Sequence, residues 1–112
     1  MKEISIYIKP EKLETVKNIL DKHHCGGLTV INAMGCGNQK GFTEEYVGTR
    51  THLNLLPKMK IEIIVVDSEV EDILTELHNN LADGNVGDGK IIIKNVEDAV
   101  RIRTFERGEA AI

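Results

Sequence analysis

The sequence predicts an α+β domain of the ferredoxin-like class, a double βαβ sandwich in which two helices cover one face of an antiparallel sheet. Each half of the chain begins with a strand pattern and continues with apolar residues at helical spacing. The order β-α-β therefore occurs twice within 112 residues. That length suits one domain with one modest core.

The first βαβ unit begins at residues 3–9, where isoleucines alternate with polar or aromatic residues as in a strand. Pro10 suits the first position of a helix, because its missing N–H costs nothing there. Apolar residues follow at helical spacing over 13–20. The glycines at 26–27 are expected to end this helix, and 28–34 is expected to form the second strand.

The second unit begins with a strand at 60–66, and Ser68 and Glu71 have capping-box spacing. An apolar helical stripe follows at Val70, Ile73, Leu74, Leu77 and Leu81. After a glycine-rich loop, 90–96 is expected to be a strand. A short helical turn at 96–99 and a last strand at 99–105 would complete the chain.

One layer of helices leaves the other sheet face uncovered. Tyr7, Glu62 and Ile64 are expected on that mixed face, and an uncovered face favours oligomerisation. The two units are joined by a long, polar, glycine-punctuated connection at 35–56. Connections of this length are usually functional or disordered.

The overall composition argues against several classes of function. A formal net charge of −4 and 4% aromatic residues argue against general nucleic-acid binding. No apolar run approaches the ~20 residues needed to span a bilayer, and the charged N-terminal segment does not suit a secretory signal. A cytoplasmic protein without direct membrane insertion is expected. Cys25 and Cys36 do not suggest a disulfide framework.

The stretch "DGNVGDGKIIIKNV" nearly matches a phosphate-binding P-loop through Gly84, Gly89 and Lys90. Ile91 replaces the Ser or Thr that holds magnesium, and a helix precedes the stretch where a P-loop has a strand. Nucleotide hydrolysis is therefore disfavoured. Taken alone, the stretch is compatible with a backbone nest for an anion or with a plain helix-to-strand turn.

A second cluster is "RIRTFERG". In a strand, Arg101 and Arg103 would share one face ~7 Å apart, a spacing that suits a polyphosphate. Taken alone, a solvated basic edge explains them better. Together with Gly87, Gly89 and Lys90, they favour phosphate binding.

Six stretches in order resemble the PII (P-II) signal-transduction family. They are "IKPEKLETVK", "GGLTV", "GCGNQKGFTEEY", "LPKMKIEIIV", "GNVGDGKI" and "VRIRTFERGEAAI". The resemblance covers the whole chain and implies a homotrimer that binds ATP or ADP in clefts between subunits and often senses 2-oxoglutarate. It also implies a T-loop that engages a membrane transporter, a metabolic enzyme or a regulator, with recruitment to the inner face of the membrane when the target is a transporter.

The resemblance implies one PII-like domain over 1–112, with a T-loop at about 37–55, a B-loop at about 82–90 and a C-terminal segment at about 101–112. It assigns nucleotide binding to Tyr7, Gly27, Leu28, Thr29, Gly35, Cys36, Gly37, Asn38, Gln39, Glu62, Ile64, Val86, Gly87, Asp88, Gly89, Lys90, Arg101 and Arg103. The two arginines are expected to come from the adjacent subunit.

The resemblance also implies a 2-oxoglutarate site made by Gly37, Gln39, Lys40, Gly41, Lys58 and Gly87. Gln39 would help to ligate Mg²⁺ when ATP and 2-oxoglutarate bind together. Partner contacts would fall on Thr43, Glu44, Tyr46, Val47, Thr49, Arg50 and Thr51.

Four residues depart from the family pattern. Asn38 replaces an arginine near the terminal phosphate, which leaves the preference between ATP and ADP open. Thr51 replaces the tyrosine that many members have uridylylated, and this argues against that modification. Val47 replaces an arginine that some members insert into an ammonium channel. Phe105 replaces a common glycine beside the phosphate arginines.

A regulatory binding protein without enzymatic activity is therefore expected. The alternative is a slow ATPase or phosphotransferase on a ferredoxin-like fold. It ranks lower because no catalytic base is evident and Ile91 occupies the magnesium-binding position. A structural adaptor that has lost its ligand is disfavoured by Gln39, Lys90, Arg101 and Arg103.

Overall fold

The computed structural model describes residues 1–36 and 55–112. Within these ranges the predicted double βαβ order is confirmed. The strands are β1 (Lys2–Ile8), β2 (Thr29–Gly35), β3 (Leu56–Val65) and β4 (Lys90–Asn95), and the helices are α1 (Leu13–Lys22) and α2 (Val70–Leu81). Neither helix, nor any other helix in the described ranges, is long and apolar enough to cross a membrane.

The four strands form one sheet in the order β2-β3-β1-β4, and every neighbouring pair is antiparallel. In the register of this sheet, Ile4 lies between Ile63 and Ile93. Directly opposite residues share a face, so these three side chains point to the helix side. Tyr7 lies opposite Lys60 on the face away from the helices, as the alternation in β1 predicted. The ferredoxin-like fold is confirmed.

The core lies between the sheet and the two helices. Its buried residues are Ile4, Ile6, Ile8, Val16, Ile19, Leu20, Ile61, Ile63, Val65, Val70, Ile73, Leu77 and Leu81. The apolar stripe predicted for α2 is confirmed, and Leu74 packs half-buried against its edge. Burial at helical spacing on both helices supplies the main hydrophobic stabilisation of the fold.

The end of α1 differs from the expectation. The residue with a left-handed backbone is His24, at φ 54°, and not a glycine of the 26–27 pair. The amide of His24 donates to the carbonyl of Asp21 at 3.1 Å, and the amide of Cys25 donates to that of Leu20 at 3.2 Å. These two bonds form a Schellman motif, which satisfies the last helical carbonyls before the glycines are reached.

The predicted capping box of α2 is wrong. A 3₁₀ turn at Asp67–Glu69 precedes the helix, and its N-cap residue Glu69 makes no side-chain capping bond. Ser68 therefore lies inside the turn and is not the N-cap. The N-terminal amine of Met1 lies 2.9 Å from Asp67 Oδ1. This hydrogen bond lowers the pKa of Asp67.

The predicted helical turn at 96–99 and the predicted strand at 99–105 are also wrong. Residues 96–99 have no regular structure, and 102–104 form a turn. Val100 pairs with Arg107 in an isolated antiparallel bridge. Residues 98–108, called the C-terminal hairpin below, thus pair with one another instead of extending the sheet. A 3₁₀ turn at Gly108–Ala111 follows.

Candidate functional site

The B-loop between α2 and β4 depends on three glycines with positive φ. The angles are 82° at Gly84, 98° at Gly87 and 118° at Gly89. A Cβ atom on Gly89 would lie 2.1 Å from the carbonyl oxygen of Tyr7. Only glycine combines this backbone angle with this close approach. The loop therefore runs directly against the end of β1.

The carboxylate of Asp88 closes the B-loop on itself. Its Oδ2 accepts hydrogen bonds from the amide of Asp83 at 2.9 Å and from the amide of Gly84 at 3.2 Å. The side chain is thus engaged in shaping the loop, and a carboxylate would in any case repel a phosphate. The groups that remain for an anion are the backbone amides that follow and the exposed Lys90, whose ammonium adds a positive charge.

The open face of the sheet carries a connected set of side chains around Tyr7. Lys60 Nζ lies 2.7 Å from Glu62 Oε1 and 5.6 Å from the centroid of the Tyr7 ring. The hydrogen bond to Glu62 is the main reason that the pKa of Lys60 is raised. Thr29 lies opposite Glu62 on the neighbouring strand. Three adjacent strands, β1, β3 and β2, thus present an aromatic ring, a carboxylate and a hydroxyl on one face of the sheet.

Lys60 was missed by the sequence reasoning. A signal was available, because residues two apart in a strand share a face and Lys60 precedes Glu62 by two. The spacing does not show that Lys60 is also directly opposite Tyr7, because that depends on the register between β1 and β3. A cation over the ring and a carboxylate beside it make this surface polar at its centre.

Three predicted regions meet at one end of the sheet. Lys90 begins β4 opposite Tyr7 near the end of β1, so the B-loop lies at this end. Lys58 lies near the start of β3, opposite Ala33 near the end of β2. A Cβ atom on Gly35 would lie 3.7 Å from Cγ of Lys58. Cys36 follows Gly35 and is exposed.

Comparisons with known proteins identify the family of the chain. The family model for nitrogen regulatory protein P-II matches residues 1–106 of the chain. This chain belongs to the P-II family. It is 47% identical over 112 residues to nitrogen regulatory protein P-II 2 of Methanothermobacter thermautotrophicus, covering 100% of this chain and 97% of the relative.

Two further P-II relatives match from end to end. Nitrogen regulatory protein P-II of Rhizobium meliloti is 44% identical over 112 residues, with 100% of both chains covered. The protein of the same name from Porphyra purpurea is also 44% identical over 112 residues, with 100% of both chains covered. All three relatives are named as regulatory proteins.

The other predicted P-II residues on β2 lie at the opposite end of that strand. Thr29 begins β2 and Gly35 ends it. Six residue steps in a strand span about 20 Å. Gly27 and Leu28, which precede Thr29, are therefore far from Lys58 along the sheet. One subunit does not bring all the predicted nucleotide residues together.

The two predicted phosphate arginines do not share a strand face, so that expectation is wrong. Arg101 lies at the base of the turn, where its Nη2 donates to the carbonyl of Ala110 at 3.4 Å. Arg103 is exposed within the turn itself. Among the hydrogen bonds and ion pairs of the described residues, none joins either arginine to the B-loop. The reason for the error is that the segment closes on itself rather than pairing with the sheet.

A cavity of about 240 Å³ lies beside the B-loop on the helix side of the sheet. Its lining is mostly apolar and comprises Ile6, Tyr7, Ile8, Leu77, His78, Leu81, Ala82, Asp88, Gly89, Lys90 and Ile91. Pockets for drug-sized ligands span roughly 300–1,000 Å³. The cavity is smaller than that, and neither Glu62 nor Thr29 lines it, so it does not by itself accommodate a nucleotide.

The remaining predicted residues lie outside the described ranges. They are Gly37, Asn38, Gln39, Lys40, Gly41, Thr43, Glu44, Tyr46, Val47, Thr49, Arg50 and Thr51. Their roles in binding Mg²⁺, 2-oxoglutarate and a target protein stay predictions.

Proposed function

We propose that this P-II protein senses adenine nucleotides. It binds ATP or ADP in the clefts of a homotrimer, with Mg²⁺ accompanying ATP. Nucleotide and 2-oxoglutarate then regulate a nitrogen-metabolism or transport target through the T-loop. The observation that carries the proposal is the B-loop, which is held against Tyr7 by Gly89 at the same end of the sheet as Lys58. Family membership supports the same assignment.

The phosphates and the adenine of the nucleotide, and the 2-oxoglutarate, each have a matching surface in this proposal. The phosphates lie at the part of the B-loop that follows Asp88, where the backbone at Gly89 and the ammonium of Lys90 favour an anion. The adenine lies on the open face near Tyr7, where a ring provides apolar contact and Glu62 provides a hydrogen-bond acceptor. Lys58 pairs with a carboxylate of 2-oxoglutarate.

A cleft between subunits follows from the separation of these parts. Gly27 and Leu28 lie beyond the start of β2, away from the end of the sheet that carries the B-loop, so a neighbouring copy supplies them together with Arg101 and Arg103 of its C-terminal hairpin. Exposed apolar residues on both edge strands and on the hairpin favour such packing. These residues are Val30, Ile31, Ile92, Ile93, Val100, Ile102 and Phe105.

Regulation in this proposal is a shift of populations. Ligands at the root of the T-loop favour one conformer of it by binding that conformer more tightly. A coupling of about 1–3 kcal/mol would change target affinity roughly 5–150-fold. This range is sufficient for a switch that responds to metabolite concentration.

Calorimetry tests the proposal. ATP, ADP and AMP are titrated into the protein, each with and without Mg²⁺ and 2-oxoglutarate, and light scattering gives the oligomeric state. Binding of ATP or ADP to a trimer is expected. No adenylate binding at millimolar concentration would contradict the sensor function. Rapid multiple turnover of ATP would instead favour the alternative enzyme.

A further inference from the structure

Arg101 already has a carboxylate partner within its own hairpin. Its Nε lies 3.6 Å from Oε1 of Glu106, and the two side chains are 41% and 48% exposed. The Nε atom is buried and makes no hydrogen bond within the described residues. The guanidinium is thus ion-paired to Glu106, while one of its donors is left unsatisfied.

The hairpin backbone holds these two residues together. The amide of Arg101 donates to the carbonyl of Glu106 at 2.9 Å, and the amide of Phe105 donates to the carbonyl of Arg101 at 2.8 Å. Thr104 Oγ1 donates to Glu106 Oε1 at 2.7 Å. That is the carboxylate oxygen that faces Arg101. The position of the carboxylate is therefore set by the turn and does not result from chance side-chain contact.

Arg103 provides a contrast within the same turn. Among residues 1–36 and 55–112, it takes part in no ion pair and no side-chain hydrogen bond. Two arginines two positions apart thus differ, since one faces a carboxylate and the other does not.

We infer that Glu106 competes with the ligand phosphate for Arg101 and so weakens nucleotide binding. The inference rests on the proposed function. Carboxylate and phosphate oxygens accept the same guanidinium hydrogen bonds, so a phosphate that engages Arg101 in a bidentate pair must displace Glu106. An ion pair between half-exposed groups is weak, so its displacement reduces the affinity only modestly, by about two- to five-fold.

Glu106 is therefore a positioning residue, which acts on the ligand through Arg101. It keeps the arginine in a defined place in the absence of nucleotide. It also keeps the affinity in a range where the occupancy responds to concentration. A residue with a merely structural role in the hairpin would have the opposite effect, because its loss would weaken binding.

Glu106→Gln tests the inference, with Glu109→Gln as the matched control. Both substitutions remove one negative charge from the same segment, and Glu109 makes no ion pair within the described residues. Calorimetry with ADP, and separately with inorganic tripolyphosphate, should show affinity that rises about two- to five-fold for Glu106→Gln. Glu109→Gln should change it by less than half of that gain. Glu106→Asp, which withdraws the carboxylate by one methylene, should give an intermediate gain.

Two further measurements separate competition from other effects. In an Arg101→Gln background, Glu106→Gln should produce no gain. In the free protein, Glu106→Gln should shift the NMR signal of the Arg101 Nε–H group, and Glu109→Gln should not. Equal gains for the two glutamates, weaker binding by Glu106→Gln, or a gain that persists without Arg101 would each overturn the inference alone. Absence of adenylate binding to the unsubstituted protein would overturn the proposed function, and this inference with it.

Discussion

The carbonyl oxygen of Tyr7 lies 2.1 Å from where a Cβ atom on Gly89 would be. The B-loop is thereby packed against the C-terminal end of β1. The next residue, Lys90, begins β4 and pairs with Tyr7. This contact joins the proposed phosphate-binding backbone to the face that carries the Tyr7 ring. The proposed phosphate-binding surface and the proposed adenine-binding surface are thus fixed in position relative to each other.

Gly89→Ala should destabilise the protein and abolish adenylate binding. The added methyl group collides with backbone, and φ of 118° is strained for alanine, so a loss of about 2–5 kcal/mol is expected. Urea unfolding at fixed protein concentration and ADP calorimetry provide the measurements. Gly84→Ala is the control, since its φ is also positive but no atom lies within 4 Å of the added Cβ. Its cost should be about 1–2 kcal/mol. Equal losses would show that the contact with Tyr7 is unimportant.

Lys58→Ala should remove the effect of 2-oxoglutarate while leaving ADP affinity within about two-fold. Lys58 is placed beside Gly35 at the end of β2 and lies about 13 Å from Glu62 along β3, so the carboxylate ligand loses a cation while the proposed adenine surface is left intact. Titrations of ATP with Mg²⁺, with and without 2-oxoglutarate, measure the effect. Lys94→Ala on β4 removes the same charge elsewhere and should change neither ligand. Parallel loss of both ligands in Lys58→Ala would show that the roles are misassigned.

The contact between Arg107 and Asp98 at the base of the C-terminal hairpin should break in acid, while the backbone hydrogen bonds of the hairpin, which do not titrate, should persist. Arg107 Nε donates to Asp98 Oδ2 at 2.9 Å, and this bond is the main reason that the pKa of Asp98 lies below its ordinary value of 3.8. A lowered folded-state pKa means that the stabilisation is complete above 3.8 and disappears as the pH falls through the folded-state value. The amide of Gly108 donates to Oδ1 of the same carboxylate at 3.1 Å and to the carbonyl of Ala99 at 2.9 Å, so its NMR signal reports on protonation of Asp98.

NMR of the Gly108 amide between pH 6 and pH 2 (about the range in which carboxylates titrate) measures the loss of this contact. Asp98→Asn should remove the pH-dependent shift of the Gly108 amide, and Asp72→Asn on α2 should behave like the unsubstituted protein. A Gly108 amide that shifts in the same way in Asp98→Asn as in the unsubstituted protein would rule out Asp98 as the titrating group.

Ile93→Asp should dissociate the proposed trimer. Ile93 is 42% exposed on the edge strand β4, and a charge there would be desolvated in an interface between subunits. Light scattering should show a shift towards monomer at micromolar concentration, and ADP affinity should fall with it. Asn79→Asp adds the same charge on the exposed surface of α2 and should leave the oligomer intact. An unchanged trimer in Ile93→Asp would place β4 outside the interface.

Much of the fold could be predicted because it depends on short-range patterns. The alternation around Ile4 and Ile6 predicts which face of β1 is buried. The apolar stripe from Val70 to Leu81 does the same for α2. The structure buries those faces. The helix termini were predicted less well. His24 completed the Schellman motif before the glycines were reached, and Asp67 engaged the N-terminal amine in the turn that precedes α2.

The sequence predicted which residues form the candidate site better than it predicted the contacts between them. The spacing of Gly84, Gly87 and Gly89 indicated a loop with unusual backbone angles, and all three have positive φ. The approach of Gly89 to Tyr7 was not evident, because the two lie more than eighty positions apart. The placement of Lys60 opposite Tyr7 likewise depends on the register between β1 and β3. Its ion pair with Glu62 does not, since the two residues are two apart in β3.

The sequence by itself determined the double βαβ fold, the P-II family and the glycine-dependent loop, since periodicity and turn chemistry act over a few neighbouring residues. Only the tertiary structure decided that Gly89 abuts Tyr7, that Lys60 lies between Tyr7 and Glu62, and that Arg101 faces Glu106. The alternation at 99–105 favoured a strand, but a strand needs a partner. The backbone hydrogen bonds were satisfied more locally, from Arg101 to Glu106, and the segment became a hairpin.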